Sequence, residues 1–178
     1  AALDAIGYEQ EVFVSSQHNW PDFRVHRDLP PGETAFMAGW CSGAPGIGLG
    51  RLLTLDSLDT PEIRTDIEEA ITFVLHLVRQ PNPAESDHTC CGISSRIDFL
   101  LEAAQRLNRP ELYEAARASA SFMLRRARHK GRFTFNGDTS GPVFSPGLFT
   151  GLAGVGQTLL RVGSAERLLG VYKDNTRR

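Results

Sequence analysis

Three stretches of the chain begin among small residues and run on into leucine-rich segments: GWCSGAPGIGLGRLLTL from residue 39, TCCGISSRIDFLLEAAQRL from residue 89 and FTGLAGVGQTLLRV from residue 149. Aligning them on Gly43, Gly92 and Gly151 sets Gly46, Ser95 and Gly154 three positions on and Leu52, Leu101 and Leu160 nine positions on. The offsets are 49 and 59 residues, so each unit is about two helices plus loops. Such a unit cannot bury its apolar face alone and must stack on its neighbours.

The intervening segments supply the second helix of each unit. Thr60 offers an N-cap, Pro61 suits the first helical position, and Ile63, Ile67, Ala70, Val74 and Leu77 then share one face up to a stop before Pro81. A further helix opens near Pro110-Glu111, carries Leu112, Ala116, Ala120 and Met123 on one face, and ends in Arg125, Arg126, Arg128, His129 and Lys130 before Gly131. Basic side chains there complement the negative helix end. The expected fold is therefore all-α: two concentric layers of helices in an α/α toroid, present here in part, since a closed ring needs more than three inner helix starts. RFTFNGD is the one strand-like alternation and predicts a short β-hairpin near 132–140. Residues 1–38 read as an irregular segment without a helix, with PDFRVHRDLPPGET as a surface loop, and 39–178 as the helical repeats.

A formal net charge of −2 and a pI of about 6.2 offer no attraction for nucleic acid or an anionic bilayer. No apolar run approaches the roughly 20 residues that span a membrane, and the first residues lack a signal-peptide pattern. The expectation is a soluble, cytoplasmic protein that does not insert into a membrane.

The cysteines narrow the chemistry. Cys41, Cys90 and Cys91 cannot all pair within one chain, and adjacent cysteines bond each other poorly, which argues against a disulfide scaffold. Cys41 and the Cys90-Cys91 pair occupy equivalent places just before aligned glycines. If neighbouring repeats bring those turns together, three soft thiolates converge in the donor set of a tetrahedral zinc ion with one position open. Buried free thiols acting as small hydrophobes are the plainer alternative.

WCSGAPGIGLGRL (40–52), CCG (90–92) with RIDFLLEA after it, and PGLFTGLAGVGQTLLR (146–161) resemble the C-terminal motifs of lanthionine synthetase cyclases. YEQEVF (8–13) and NWPDFR (19–24) further resemble the stretch ahead of the first motif in the bifunctional class II synthetases. The resemblance implies an α/α toroid, Zn2+ held by Cys41, Cys90 and Cys91 in the three-cysteine variant, and a precursor peptide as partner. The cyclase adds a zinc-activated cysteine thiolate of that peptide to dehydroalanine or dehydrobutyrine, forming (methyl)lanthionine rings. The chain would then be the C-terminal portion of one cyclase domain, partnered by the N-terminal part of the synthetase. That part would supply the general acid, which leaves the catalytic residues of this chain unknown. A non-catalytic module binding a peptide or a glutathione-like thiol is the competing reading.

Two departures stand out. Ser42 replaces a larger polar residue beside the first cysteine, and Ser94-Ser95 replace a glycine-containing pair, where serine is expected to cap the helix. His88 is the histidine nearest the cysteines in sequence and a candidate for supporting them, although a solvated loop histidine is the simpler expectation. His18 and His26 lie in the irregular segment, His76 among apolar neighbours on a helix, and His129 at a helix end. Arg51 and Arg96 follow the first two cysteine turns and could attract an acidic peptide, with solvated helix surface as the plainer reading; the basic cluster at 125–132 could do the same.

Overall fold

The computed structural model describes residues 2–24, 29–30, 33–135 and 145–174, with side chains through 165. In chain order the helices are α1 (Ala2–Glu11), α2 (Ala44–Thr54), α3 (Pro61–Arg79), α4 (Ile93–Arg106), α5 (Pro110–Lys130) and α6 (Leu152–Asp174). The fold is all-α, with one small sheet among the described residues. Helices α2, α4 and α6 each begin in a small-residue turn and pack side by side in that order, with α3 against α2 and α5 against α4. An inner row of three helices is thus backed by an outer row of two, as the repeat predicts.

Local chemistry sets the helix ends. Thr60 Oγ1 accepts the Ile63 N–H, Pro61 opens α3, and α3 ends at Arg79 before Pro81. Helix α5 runs from Pro110 to Lys130 and stops at Gly131, whose φ of 69° suits the left-handed C-terminal position. The expected faces are the buried ones: Ile63, Ile67, Ala70 and Val74 on α3, and Leu112, Ala116, Ala120 and Met123 on α5.

Helix α4 is central, flanked by α2, α5 and α6, and buries Ile97, Phe99, Leu100 and Ala103 completely. Gly48 of α2 lies where three helices meet. A Cβ there would stand 2.6 Å from the Phe99 ring and 2.7 Å from the Ala70 methyl, so the absence of a side chain sets how closely α2 approaches α3 and α4. Polar ties join α6 to α4 and to α5 as well. Thr158 Oγ1 donates to Asp98 at 2.8 Å, Arg161 donates to the same carboxylate at 2.7 Å, and the Tyr113 hydroxyl donates to the Val162 carbonyl at 3.2 Å.

Several expectations are corrected. Residues 1–38 are not without a helix: α1 spans ten residues, followed by a 3-10 turn at Ser15–Gln17 and two-residue strands β1 (Pro21–Asp22) and β2 (Ala35–Phe36), paired antiparallel. Helix α1 buries no residue of its own. It is held from outside, by Trp20 Nε1 donating to the Glu9 carbonyl at 3.0 Å and by Glu9 pairing with Arg51 at 2.6 Å. Its sequence therefore carries no strong period. The hairpin foreseen near 132–140 is not among these corrections: its residues 136–140 lie outside the described ones, and 133–135 on their own form no strand. Leu160, aligned with buried Leu52 and Leu101, is 71% exposed; the main described contacts of α6 are with α4 and α5.

Arg51 and Arg96 are neither solvated nor turned to a peptide. Arg51 Nε bonds Asp66 at 2.8 Å, tying α2 to α3, and buried Arg96 grips Glu85. Burying such charges is tolerated because each is paired, and removing one partner strands the other.

Gly48→Ala tests the helix approach. Despite a helix-propensity gain of about 1 kcal/mol, the overlap with Phe99 and Ala70 is expected to destabilise the chain by about 1–3 kcal/mol net. An unchanged or higher midpoint in urea unfolding would contradict this packing.

Candidate metal centre

The turns that open α2 and α4 are joined backbone to backbone. The Cys90 carbonyl accepts the N–H groups of Trp40 at 2.7 Å and Cys41 at 3.3 Å. A Cβ on Gly39 would stand 2.8 Å from Cα of Cys91, so only glycine lets the two turns touch. On its other side the Cys90 N–H donates to the Phe149 carbonyl at 2.8 Å, in the turn that opens α6. The backbone of one residue thus links all three turns. The Trp40 and Phe149 rings, centroids 4.8 Å apart, stack across the same mouth and are both partly exposed.

This joint gathers the cysteines. The sulfurs of Cys41, Cys90 and Cys91 all lie within 4.8 Å of one another, none in a disulfide, with Cys41 exposed and the other two half-buried. Tetrahedral ligation with Zn–S near 2.3 Å needs sulfurs about 3.8 Å apart, a difference that small side-chain rotations cover. Three soft donors fit a borderline-soft divalent ion and leave it one position for a further ligand. Electrostatics point the same way. Burial, then the hydrogen bond and charge of Cys41, push the Cys90 thiol up to about 12, and burial with the Cys41 charge pushes Cys91 up too. Like charges this close oppose one another's ionisation, and a bound cation reverses that balance.

The loop ahead of α4 is fixed from behind. His88 is buried, and its Nδ1 accepts the Cys91 N–H at 3.3 Å. Burial lowers its pKa, in keeping with a neutral ring whose bare nitrogen faces the backbone. It orients the Cys-Cys-Gly turn and is not solvated. Asp87 is fully buried: its carboxylate pairs with Arg126 of α5 and accepts the Thr134 N–H at 2.6 Å, and its own N–H donates to the Thr134 carbonyl. Burial pushes the Asp87 carboxyl upward, opposed by the Thr134 N–H and then by the charge of Arg126. Ser94 and Ser95 do not cap α4. Their hydroxyls donate to the carbonyls of Asp87 at 2.5 Å and Gly92 at 2.7 Å, bracing the same turn.

The turn ahead of α2 is held by Asn19, also fully buried. Its Oδ1 accepts the Ala44 N–H at 2.7 Å at the start of α2, and its Nδ2 donates to the Met37 carbonyl at 2.9 Å. Asn19 is a helix cap delivered from a distant segment. A cleft of about 410 Å³ opens beside Cys41 and Ser42, between α1 and α2, with exposed Tyr8, Phe23 and Trp40 on its rim.

The sequence reading therefore found the three thiols but not their supports. Asn19 lies in NWPDFR, a motif in which the sequence alone assigns no residue a role. Asp87 and Arg126 left no signal, since Arg126 sits in a basic run that helix-end electrostatics already explained. Of the remaining histidines, His18 pairs with Glu69 at 2.5 Å, His76 and His129 are exposed, and His26 lies outside the described residues.

The family model described as lanthionine synthetase C-like protein matches residues 1–171. A comparison with curated proteins finds no match. No helix among the described residues is long and apolar enough to cross a membrane.

Thiol labelling tests the metal-free site. The raised pKa leaves Cys90 overwhelmingly protonated at pH 8, and exposed Cys41 should be alkylated at least about tenfold faster by iodoacetamide. Cys90 should catch up only as pH rises toward 12. Equal rates at pH 8, read by peptide mass spectrometry, would contradict this arrangement.

Proposed function

The chain belongs to the lanthionine synthetase C-like family, and on that premise we propose that it acts in zinc-dependent closure of thioether rings on a dehydrated precursor peptide. A cysteine thiolate of the peptide adds to the β-carbon of dehydroalanine or dehydrobutyrine, a proton is added at the α-carbon, and (methyl)lanthionine results without change of mass. The observation that carries this reading is the trio of free thiols gathered within 4.8 Å at the joint of the inner turns.

Cys41, Cys90 and Cys91 are the residues that would hold the ion. Bound there, zinc would supply a docking position for the peptide thiol and the acidity that keeps it deprotonated near neutral pH. The residues around the centre have separate tasks. Cys41, on the exposed side, leaves room for a peptide to approach. Trp40 and Phe149 wall the mouth with apolar surface, which limits water around a reacting sulfur. His88 and the Asp87–Arg126 pair keep the Cys90-Cys91 turn from relaxing. In this reading the chain is the C-terminal portion of a class II cyclase domain of the three-cysteine kind, and the proton donor comes from the rest of that domain.

Metal analysis after dialysis tests the site. The protein is expected to retain about one zinc per chain, and Cys91→Ala to lower zinc affinity by at least about 100-fold, since a thiolate ligand is lost. Ring closure, followed as loss of alkylatable thiol on a dehydrated cysteine-containing peptide, should exceed the spontaneous rate in the intact synthetase and fall to it in Cys91→Ala. A chain that retains no zinc contradicts the proposal. A synthetase that binds zinc and peptide without accelerating closure would instead be a binding module.

A further inference from the structure

Beside the thiol centre stands a cation that ring chemistry by itself does not call for. Asp22, in β1, has a side chain only 3% exposed. It accepts four hydrogen bonds from one residue: the Arg24 backbone N–H at 3.1 Å, Nε at 2.8 and 3.1 Å to its two oxygens, and Nη2 at 2.5 Å. The guanidinium is clamped along one edge in the two-pronged geometry that fixes its plane. Nη2 also touches Met37 Sδ, in the segment just after β2 that leads into the Trp40-Cys41 turn. Arg24 Nη1 has no hydrogen-bond partner among the described residues, and the side chain is 59% exposed. A positive edge therefore stands exposed next to Phe23, which lines the same cleft as Trp40 and Cys41.

Its charge reaches the sulfurs. The charges of Cys41 and Cys91 favour the charged guanidinium, after the dominant bond and charge of Asp22. Three thiolates on a divalent ion leave a net charge of about −1, and a fourth thiolate makes it about −2. A neutral fourth ligand adds nothing. A fixed cation near the centre thus discriminates between incoming ligands by charge.

We propose that Arg24, locked by Asp22, is a positioning residue that favours docking of an anionic sulfur ligand at the open position of the thiol centre over a neutral ligand. This rests on the metal-site reading above. The locking matters because a freely rotating arginine would spend most of its time solvated, and Asp22 holds it in place before a ligand arrives.

The chain saturated with Co2+ provides the test, because thiolate-to-cobalt absorption reports sulfur ligation directly. A short cysteine-containing peptide and imidazole are titrated separately into the unmutated chain, Arg24→Gln and Arg24→Lys. Arg24→Gln is expected to weaken peptide-thiolate binding about five- to tenfold and leave imidazole binding within about twofold. Arg24→Lys should recover most of the difference, and raising salt from about 0.05 to about 0.5 M should shrink it. Equal weakening of both ligands would mean that Arg24 merely supports the fold and would overturn the proposal, as would unaltered thiolate binding in Arg24→Gln. Absence of the absorption band in the unmutated chain would instead overturn the metal-site reading, and this inference with it.

Discussion

The backbone of Cys90 is shared between three turns, its carbonyl taken by Trp40 and Cys41 and its N–H given to Phe149. Everything that makes the site a site depends on that sharing. Helices α2, α4 and α6 start from these turns, so their first residues are held in mutual register before any side chain is considered. The sulfurs follow from it: Cys41 comes in on one turn, Cys90 and Cys91 on the next, and their proximity is a result of backbone pairing. A glycine at position 39 is what the pairing demands, because a Cβ there would collide with Cys91.

Behind this joint the structure accepts buried polarity to gain rigidity. Asn19, Asp87 and His88 are almost wholly excluded from solvent, and each holds backbone N–H groups of the cysteine turns or of the helix start and loop beside them. Their polar groups cost free energy to bury and are tolerable because they are bonded. The return is a set of thiols that stay close although burial and like charge oppose their ionisation. Without a cation the raised pKa keeps these thiols protonated and uncharged, and a cation finds its donors already gathered. In the role proposed for it, Arg24, clamped by Asp22, acts in the same direction.

How much of this the sequence announced depended on the range of the interaction. Periodic faces such as Ile63, Ile67, Ala70 and Val74 were legible because a helix repeats its own pattern locally, and Thr60-Pro61 and Gly131 punctuated it. The cysteines were legible because two similar small-residue turns, 49 residues apart on Gly43 and Gly92, each carry thiols just ahead of the glycine. Helix α1 was not, since what holds it is Trp20 and Arg51, contacts that no window of sequence contains. Arg51 and Arg96 read as surface because arginine usually is; their partners Asp66 and Glu85 become visible only once the helices pack. Leu160 shows the opposite failure, a repeat position copied faithfully in sequence and left 71% exposed.

X-ray absorption at the zinc edge of the metal-loaded chain tests the central claim most directly, because it counts sulfur neighbours whatever the activity. Three sulfurs near 2.3 Å and one lighter neighbour are expected, becoming four sulfurs when a cysteine-containing peptide is added. A first shell of nitrogen and oxygen with fewer than three sulfurs, unaltered by the peptide, would contradict a centre built on Cys41, Cys90 and Cys91.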